Sequence, residues 1–207
     1  MSSIVVAGDT SGTITIAAPA VAGSGVLTLP TGTDTLVGKA TTDTLTNKSI
    51  AATQLTGTIA ASALPAGTVL QVVNATYATE TGSSSSTFAD TGLTASITPR
   101  SASSKILVLI NQAGCYKSAA NTYLGLRLVR DATVILNFER YAGYTTTTTT
   151  NGIGSCSTSY LDSPTTTSAT TYKTQFASMA NIALASVQAT TGGIGSASTI
   201  TLMEIQG

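Results

Sequence analysis

Between Leu36 and Leu64 the large apolar residues Leu36, Leu45, Ile50, Leu55, Ile59 and Leu64 recur at spacings of 9, 5, 5, 4 and 5. That is too sparse for a strand that alternates every second residue and too irregular for heptads. One copy of such a segment has almost nothing to bury. Several copies wound about a common axis would share a thin apolar seam, with the intervening Thr, Ala and Gly residues letting the backbones approach. The segment therefore reads as part of an intertwined homo-oligomer whose seam is Leu45, Ile50, Leu55, Ile59 and Leu64.

The composition agrees with a chain built on strands. Of 207 residues 42% are hydrophobic and only 9% charged, whereas a disordered chain carries more charge and fewer apolar groups. Thr makes up roughly a fifth of the sequence, far above average usage. Thr and Val suit a pleated surface, and Ala, Gly and Ser suit tight turns and close packing. Nine basic residues balance nine acidic ones, so the basic footprint of a nucleic-acid partner is missing. The strongest apolar run, Ile106 to Ile110, is five residues long, against the about 20 needed for a spanning helix, and membrane insertion is not expected. The start, Met1-Ser2-Ser3-Ile4, lacks the basic region and apolar core of a secretory signal.

Local patterning predicts three regions. Ile4 to Val6, Thr13 to Ile16 and Val26 to Leu29 are short β-branched runs separated by Gly- and Pro-containing turns, which reads as a small β-module over residues 1–37. That is too small for an ordinary hydrophobic domain to stand alone. The connector covers 38–66. Over 67–207, strand-like runs fall at Val69 to Tyr77, Leu93 to Ile97, Lys105 to Asn111, Tyr123 to Val129, Thr133 to Phe138, Ser157 to Leu161, Thr171 to Ala177 and Ile200 to Ile205. Their spacing predicts an all-β head, an antiparallel jelly-roll-like sandwich. Leu124, Leu126 and Leu128 should share one face, the chain should turn at Arg130-Asp131-Ala132, and Val134, Leu136 and Phe138 should continue that face as a hairpin. Tyr172, Thr174 and Phe176 should point one way and Lys173 and Gln175 the other.

Catalytic chemistry is hard to assemble from these residues. Without any His, a Ser-His-Asp or Cys-His arrangement is ruled out. Glycan cleavage by two carboxylates is the remaining enzymatic rival. Asp9, Asp34, Asp43 and Asp131 fall in turns or the connector; of the other five carboxylates Glu139 and Asp162 are the candidates, with Glu139 read as a surface ion pair with Arg140 or a strand-end charge. Two cysteines without His fall short of a structural zinc site, so no metal or cofactor is expected. Cys115 and Cys156 read as small apolar residues that stay reduced.

Binding is better supported. Tyr141-Ala142-Gly143-Tyr144, the six threonines Thr145 to Thr150, and Asn151-Gly152 read as a long loop, and long loops in compact domains are often functional. Aromatic faces cover the apolar side of a sugar while hydroxyls and amides bond its polar groups. Tyr141, Tyr144 and Asn151 are the candidate receptor-binding residues. A Ser-rich stretch, Ser83 to Thr87, is a second and weaker candidate loop.

The connector carries a motif, Thr42-Asp43-Thr44-Leu45-Thr46-Asn47-Lys48, that resembles the one following a short Thr-rich module in tail-fibre proteins of tailed bacteriophages. Leu64-Pro65-Ala66-Gly67-Thr68-Val69-Leu70-Gln71-Val72-Val73 resembles the opening of a fibre-tip domain in that family. Tyr160-Leu161-Asp162-Ser163-Pro164, Thr171-Tyr172-Lys173 and Thr201-Leu202-Met203-Glu204-Ile205 look like its later parts. The resemblance implies a non-enzymatic structural virion protein, a short homotrimeric tail fibre assembled in the host cytoplasm. The amino-terminal module would dock on another virion protein of the tail or baseplate, and the head would adhere to a host surface glycan or protein. A capsid-decorating head fibre, a baseplate component, or a cellular trimeric lectin-like or tumour-necrosis-factor-like module are the alternatives.

Overall fold

The computed structural model describes residues 3–7, 10–17, 31, 49–54, 56–57, 59–191 and 194–207. The chain divides into two units, Met1–Thr56 and Gly57–Gly207. In the first, β1 (Ser3–Ala7) and β2 (Thr13–Ala17) form an antiparallel ribbon with Ile4 opposite Ile16 and Val6 opposite Ile14. Val5 and Val6 belong to opposite faces of β1, and both are exposed, since among the described residues no second layer covers either face of the ribbon. A short 3-10 turn follows at Ala52–Gln54. The expected run Val26 to Leu29, the motif Thr42 to Lys48 and the seam residues Leu45 and Leu55 lie outside the described residues.

The second unit is all-β, with a 3-10 turn at Ala61–Ala63 ahead of the first strand. Its strands are β3 (Val69–Tyr77), β4 (Thr81–Ser83), β5 (Ala89–Ile97), β6 (Lys105–Lys117), β7 (Thr122–Arg130), β8 (Thr133–Ala142), β9 (Asn151–Asp162), β10 (Thr170–Ala180), β11 (Ala185–Val187), β12 (Thr190–Thr191), β13 (Ile194–Gly195) and β14 (Ser198–Ile205). A four-stranded sheet runs β5-β10-β7-β8, and a six-stranded sheet runs β3-β14-β6-β11-β4 with β9 on the other edge of β6. All pairings are antiparallel, and β12 and β13 make a separate small ribbon.

The two sheets share a core. Leu93, Ala95 and Ile97 from β5, Leu128 from β7 and Tyr172 from β10 pack with Ile106, Val108 and Ile110 from β6 and Ile200 and Leu202 from β14. Toward the other end Leu124, Leu126 and Phe176 pack with Cys115, Ala185 and Val187. Burying each such large side chain is worth about 1.5–3 kcal/mol.

A polar layer separates these two clusters along the strands. Thr91 and Thr174 hydroxyls lie 2.6 Å apart, Thr174 Oγ1 donates to Gln112 Oε1 at 2.8 Å, and Gln112 Nε2 donates to Ser198 Oγ at 3.0 Å. Ser198 Oγ also receives Ala113 N and Gln188 Nε2, each at 2.9 Å. All five side chains are buried. A slip of one residue would turn Gln112 or Thr174 outward and leave its partners unsatisfied, so the layer reinforces the register.

Tyr172, Thr174 and Phe176 are buried, and Lys173 and Gln175 face the other way onto Asp90, as their alternation predicts. Leu124, Leu126 and Leu128 share the core face. The hairpin continuation needs a correction: Leu136 and Phe138 pack on the core, but Val134 is exposed. The register shifts between Leu128 and Val129, where Leu128 faces Leu136 and Val129 faces Val134, so the extra residue Ile135 reverses the alternation. Gly92 is another place where the backbone dictates the residue: at φ 88° it sits under the Tyr77 ring, and an added Cβ would lie 2.2 Å from Tyr77 Cε1.

Candidate functional site

β7 and β8 form a hairpin whose turn lies at Asp131-Ala132, so the start of β7 and the end of β8 meet at its open end, where Leu124 faces Ala142. That register puts two tyrosines side by side. The Tyr123 and Tyr141 rings stack with centroids 4.5 Å apart and a 30° tilt. Tyr144 completes the group, its ring edge-on to Tyr123 at 6.0 Å. Such pairs stabilise one another by about 0.5–1.5 kcal/mol beyond area burial. Tyr141 is 65% exposed and Tyr144 46%, so two of the three rings stand largely in solvent.

Gly143 makes the turn that brings Tyr144 back. It takes φ 72°, and a Cβ there would meet Ile153 Cδ1 at 2.5 Å. Tyr144 N donates to Tyr141 O at 3.2 Å, and Tyr144 Oη lies 3.3 Å from Asn121 Oδ1 as its donor. The threonine run behind it is tethered. Asn121 N donates to Thr145 O at 2.7 Å, and the buried Lys117 ammonium donates to the Thr145 hydroxyl and to Thr148 O, the latter at 3.2 Å. A buried ammonium needs such acceptors to offset its lost hydration.

The expected long loop is therefore shorter than read from the sequence. Tyr141 is a strand residue near the end of β8, and Asn151 is the first residue of β9, half-buried, with Nδ2 3.5 Å from Gly143 O. Only Gly143 to Thr150 connect the two strands, because β8 and β9 extend well past the runs that alternation marks. The weaker Ser-rich candidate shrinks likewise, since Ser83 ends β4.

Beside the tyrosines, on the outward side of the four-stranded sheet, lies a small open pocket of about 140 Å³ lined by Phe88, Gly125, Asn137, Glu139, Arg140 and Met179. Met179 pairs with Tyr123 across β10 and β7, which makes pocket and aromatic cluster neighbours. Arg127 lies over the Phe88 ring at 4.1 Å and donates Nε to Gln175 Oε1 at 2.8 Å. Gly125 leaves room for the Phe88 ring here, since a Cβ would sit 3.3 Å from Phe88 Cζ, closer than most side-chain contacts.

The carboxylate candidates are occupied structurally. Glu139 Oε1 accepts the backbone amides of Arg140 and Tyr141, each at 2.8 Å, and makes no ion pair with Arg140. This corrects the ion-pair expectation: the carboxylate is close enough to its own strand's amides to be capped by them. Asp162 is buried, accepting Arg130 Nη1 at 2.8 and 2.9 Å and the Tyr172 hydroxyl at 2.6 Å. Burial and the hydrogen bond to Asp162 push the Tyr172 phenol far above its ordinary range. Among the described residues no cluster of three His, Cys, Asp or Glu side chains could hold a metal.

Of the seam residues, Ile50 and Ile59 are exposed and Leu64 is half-buried beyond the turn at Ala61–Ala63. Tyr123, Asn121 and Lys117 were not singled out by sequence reading. The hairpin pattern does hold a signal for Tyr123, since an antiparallel pair turning at Asp131-Ala132 places it opposite the end of β8. No protein-family model matches this chain, and no curated protein matches it.

Proposed function

We propose that this chain is an adhesive, non-enzymatic structural protein, a short homotrimeric fibre of a tailed-bacteriophage virion, whose head meets a glycan or protein of the host surface. The amino-terminal unit would attach to another virion protein of the tail or baseplate. The observation that carries the adhesive reading is the solvent-facing cluster of Tyr123, Tyr141 and Tyr144. An exposed aromatic group held by its own stacking and by a tethered loop loses little conformational freedom on binding, and amphipathic rings of this kind dominate recognition surfaces. Asn121, Asn137 and Arg140 beside it offer amide and guanidinium donors to sugar hydroxyls or carboxylates. The oligomeric reading draws support from Ile50 and Ile59, large apolar residues left in solvent by the single chain.

Binding of the fluorescently labelled full chain to susceptible and resistant cells tests adhesion: saturable binding to susceptible cells alone is expected, and equal binding to both would overturn it. Light scattering at micromolar concentration tests assembly, with a mass of three chains expected and a well-folded monomer overturning it. Detection of the chain in purified virions tests its place.

A further inference from the structure

The two sheets differ in what they turn outward. On the outside of the six-stranded sheet, register places Val72, Met203, Leu107 and Leu161 in one row across β3, β14, β6 and β9. The next row is Asn74, Thr201, Leu109 and Ser159, and the third is Thr76, Thr199, Asn111 and Ser157. Val72 is 56% exposed, Leu161 51% and Leu109 38%, while Met203 and Leu107 are half-buried between them. No charged residue occupies these rows, and Lys105 stands only beyond their end, level with Ile205. The four-stranded sheet has the opposite character, with Asp90, Lys173 and Arg127 on its outward side.

We propose that this outward face of the six-stranded sheet, centred on the Val72, Met203, Leu107 and Leu161 row, is the contact through which heads of this chain associate, and that its occupant is another copy of the same chain. The inference rests on the oligomeric part of the proposed function and says which surface serves it. A partner with charges at the contact would have to desolvate them against a face that offers no counter-charge. With three copies turned to a common axis, each apolar row meets the rows of its two neighbours, and the Asn, Thr and Ser groups beside it, each able to donate and accept, meet their like.

Four strands about 4.8 Å apart and the about five residues that the three rows span, at about 3.3 Å each, give roughly 320 Å² of projected face per copy. Three copies turned to a common axis bring together about 950 Å² before side-chain relief is added, on the scale of the ~1,000 Å² of a specific interface.

Cross-linking of the full chain tests the assignment. In a Cys156→Ser background, Ser159→Cys puts one reactive thiol on the proposed contact, and Thr94→Cys puts one on the outward side of β5. With a short bismaleimide, Ser159→Cys should give covalent multimers on a denaturing gel and Thr94→Cys should not. If Thr94→Cys alone cross-links, or neither does, the assignment is overturned. Light scattering of the same samples separates the two questions, since an oligomer without a Ser159→Cys cross-link refutes this face and leaves self-association standing. As a second variant, Leu161→Lys should keep the secondary structure and lower the oligomer's mass or raise the concentration at which it half-dissociates at least tenfold. An unchanged dissociation midpoint would also overturn the proposal.

Discussion

Tyr172 donates its phenol hydroxyl to Asp162 at 2.6 Å inside the head, on the carboxylate that Arg130 pairs with at 2.8 Å. The two residues come from β10 and β9, strands of different sheets, so this bond fastens one sheet to the other. Tyr172→Phe keeps the ring and removes the donor, and is expected to cost about 1–3 kcal/mol, the usual consequence of leaving a buried acceptor short of a partner. Asp162→Ala strands both the guanidinium and the hydroxyl and should cost more, about 3 kcal/mol or above. Urea denaturation checks this as a lower midpoint at unchanged slope, and midpoints within error of the parent would show that water replaces the bond without loss.

Glu204 gives a pH dependence of known sign. Burial raises its pKa, but hydrogen bonds from the Gln71 amide at 2.6 Å and the Arg100 backbone amide at 2.7 Å outweigh that and hold it below the ordinary value of 4.5. A carboxylate depressed in the folded state contributes stability that is present above its unfolded pKa and lost as pH falls through its folded one. Melting temperature should therefore be flat from neutrality to about pH 5 and fall below it, and Glu204→Gln should flatten that fall. Asp90 is lowered too, but with its side chain 53% exposed beside Lys173 it contributes little. An acid transition unaltered by Glu204→Gln would assign the loss to other groups.

Ser198 joins three donors in the polar layer, and Ser198→Ala leaves Gln112 Nε2, Gln188 Nε2 and the Ala113 amide without their acceptor. A loss of about 1–3 kcal/mol is expected, within the range for buried unsatisfied groups. Amide exchange gives the sharper reading, since the Ala113 amide should lose protection far more than amides of β7. Uniform loss across the head would mean a global effect instead.

These cases also mark what was legible beforehand. Leu124, Leu126 and Leu128, or Tyr172, Thr174 and Phe176, could be assigned to a face because alternation with period two is a local property of the chain. The all-β class followed from the same signal. Gln112, Thr174 and Ser198 could not be recognised as a connected layer, because polar residues in a core are satisfied by partners 62 to 86 positions away. β4 and β11 escaped notice since three-residue strands of Thr, Gly, Ser, Ala and Val carry no period. At the candidate site, composition marked Tyr141 and Tyr144, whereas Tyr123 enters only through the register of β7 with β8. Lys117 was invisible for a related reason: nothing local says that an ammonium on a strand will be buried against a threonine loop.

The cysteine pair yields a chemical prediction. Cys115 is buried, Cys156 half-buried, and both are free thiols on adjoining strands. The Cys115 hydrogen bond favours the Cys156 thiolate and lowers its pKa, while the same pairing and burial raise that of Cys115. In the structure the Cys115 thiol donates to Gln112 O at 3.3 Å. Iodoacetamide should modify Cys156 first at pH 7 to 8, and Cys115 only on unfolding. Cys115→Ala should slow alkylation of Cys156 severalfold at that pH, and an unchanged rate would mean that Cys115 never donates to it.

Tyr141 and Tyr144 provide the test of the candidate site itself. Their rings are exposed and lean on Tyr123, which is half-buried on β7. Replacing both with Ala should therefore remove contact area for a ligand while leaving the core intact, and the melting temperature should move by no more than a few degrees. Attachment of the labelled full chain to susceptible cells should weaken by on the order of 1 kcal/mol or more for each tyrosine, multiplied by avidity wherever several heads engage one cell. Tyr123→Ala is the internal comparison, because it withdraws the ring on which both others stack and so should lower attachment and stability together. Attachment unchanged in the double variant would move the receptor surface away from this end of the hairpin. A large fall in melting temperature with attachment preserved would show instead that the cluster holds the β7–β8 end in place.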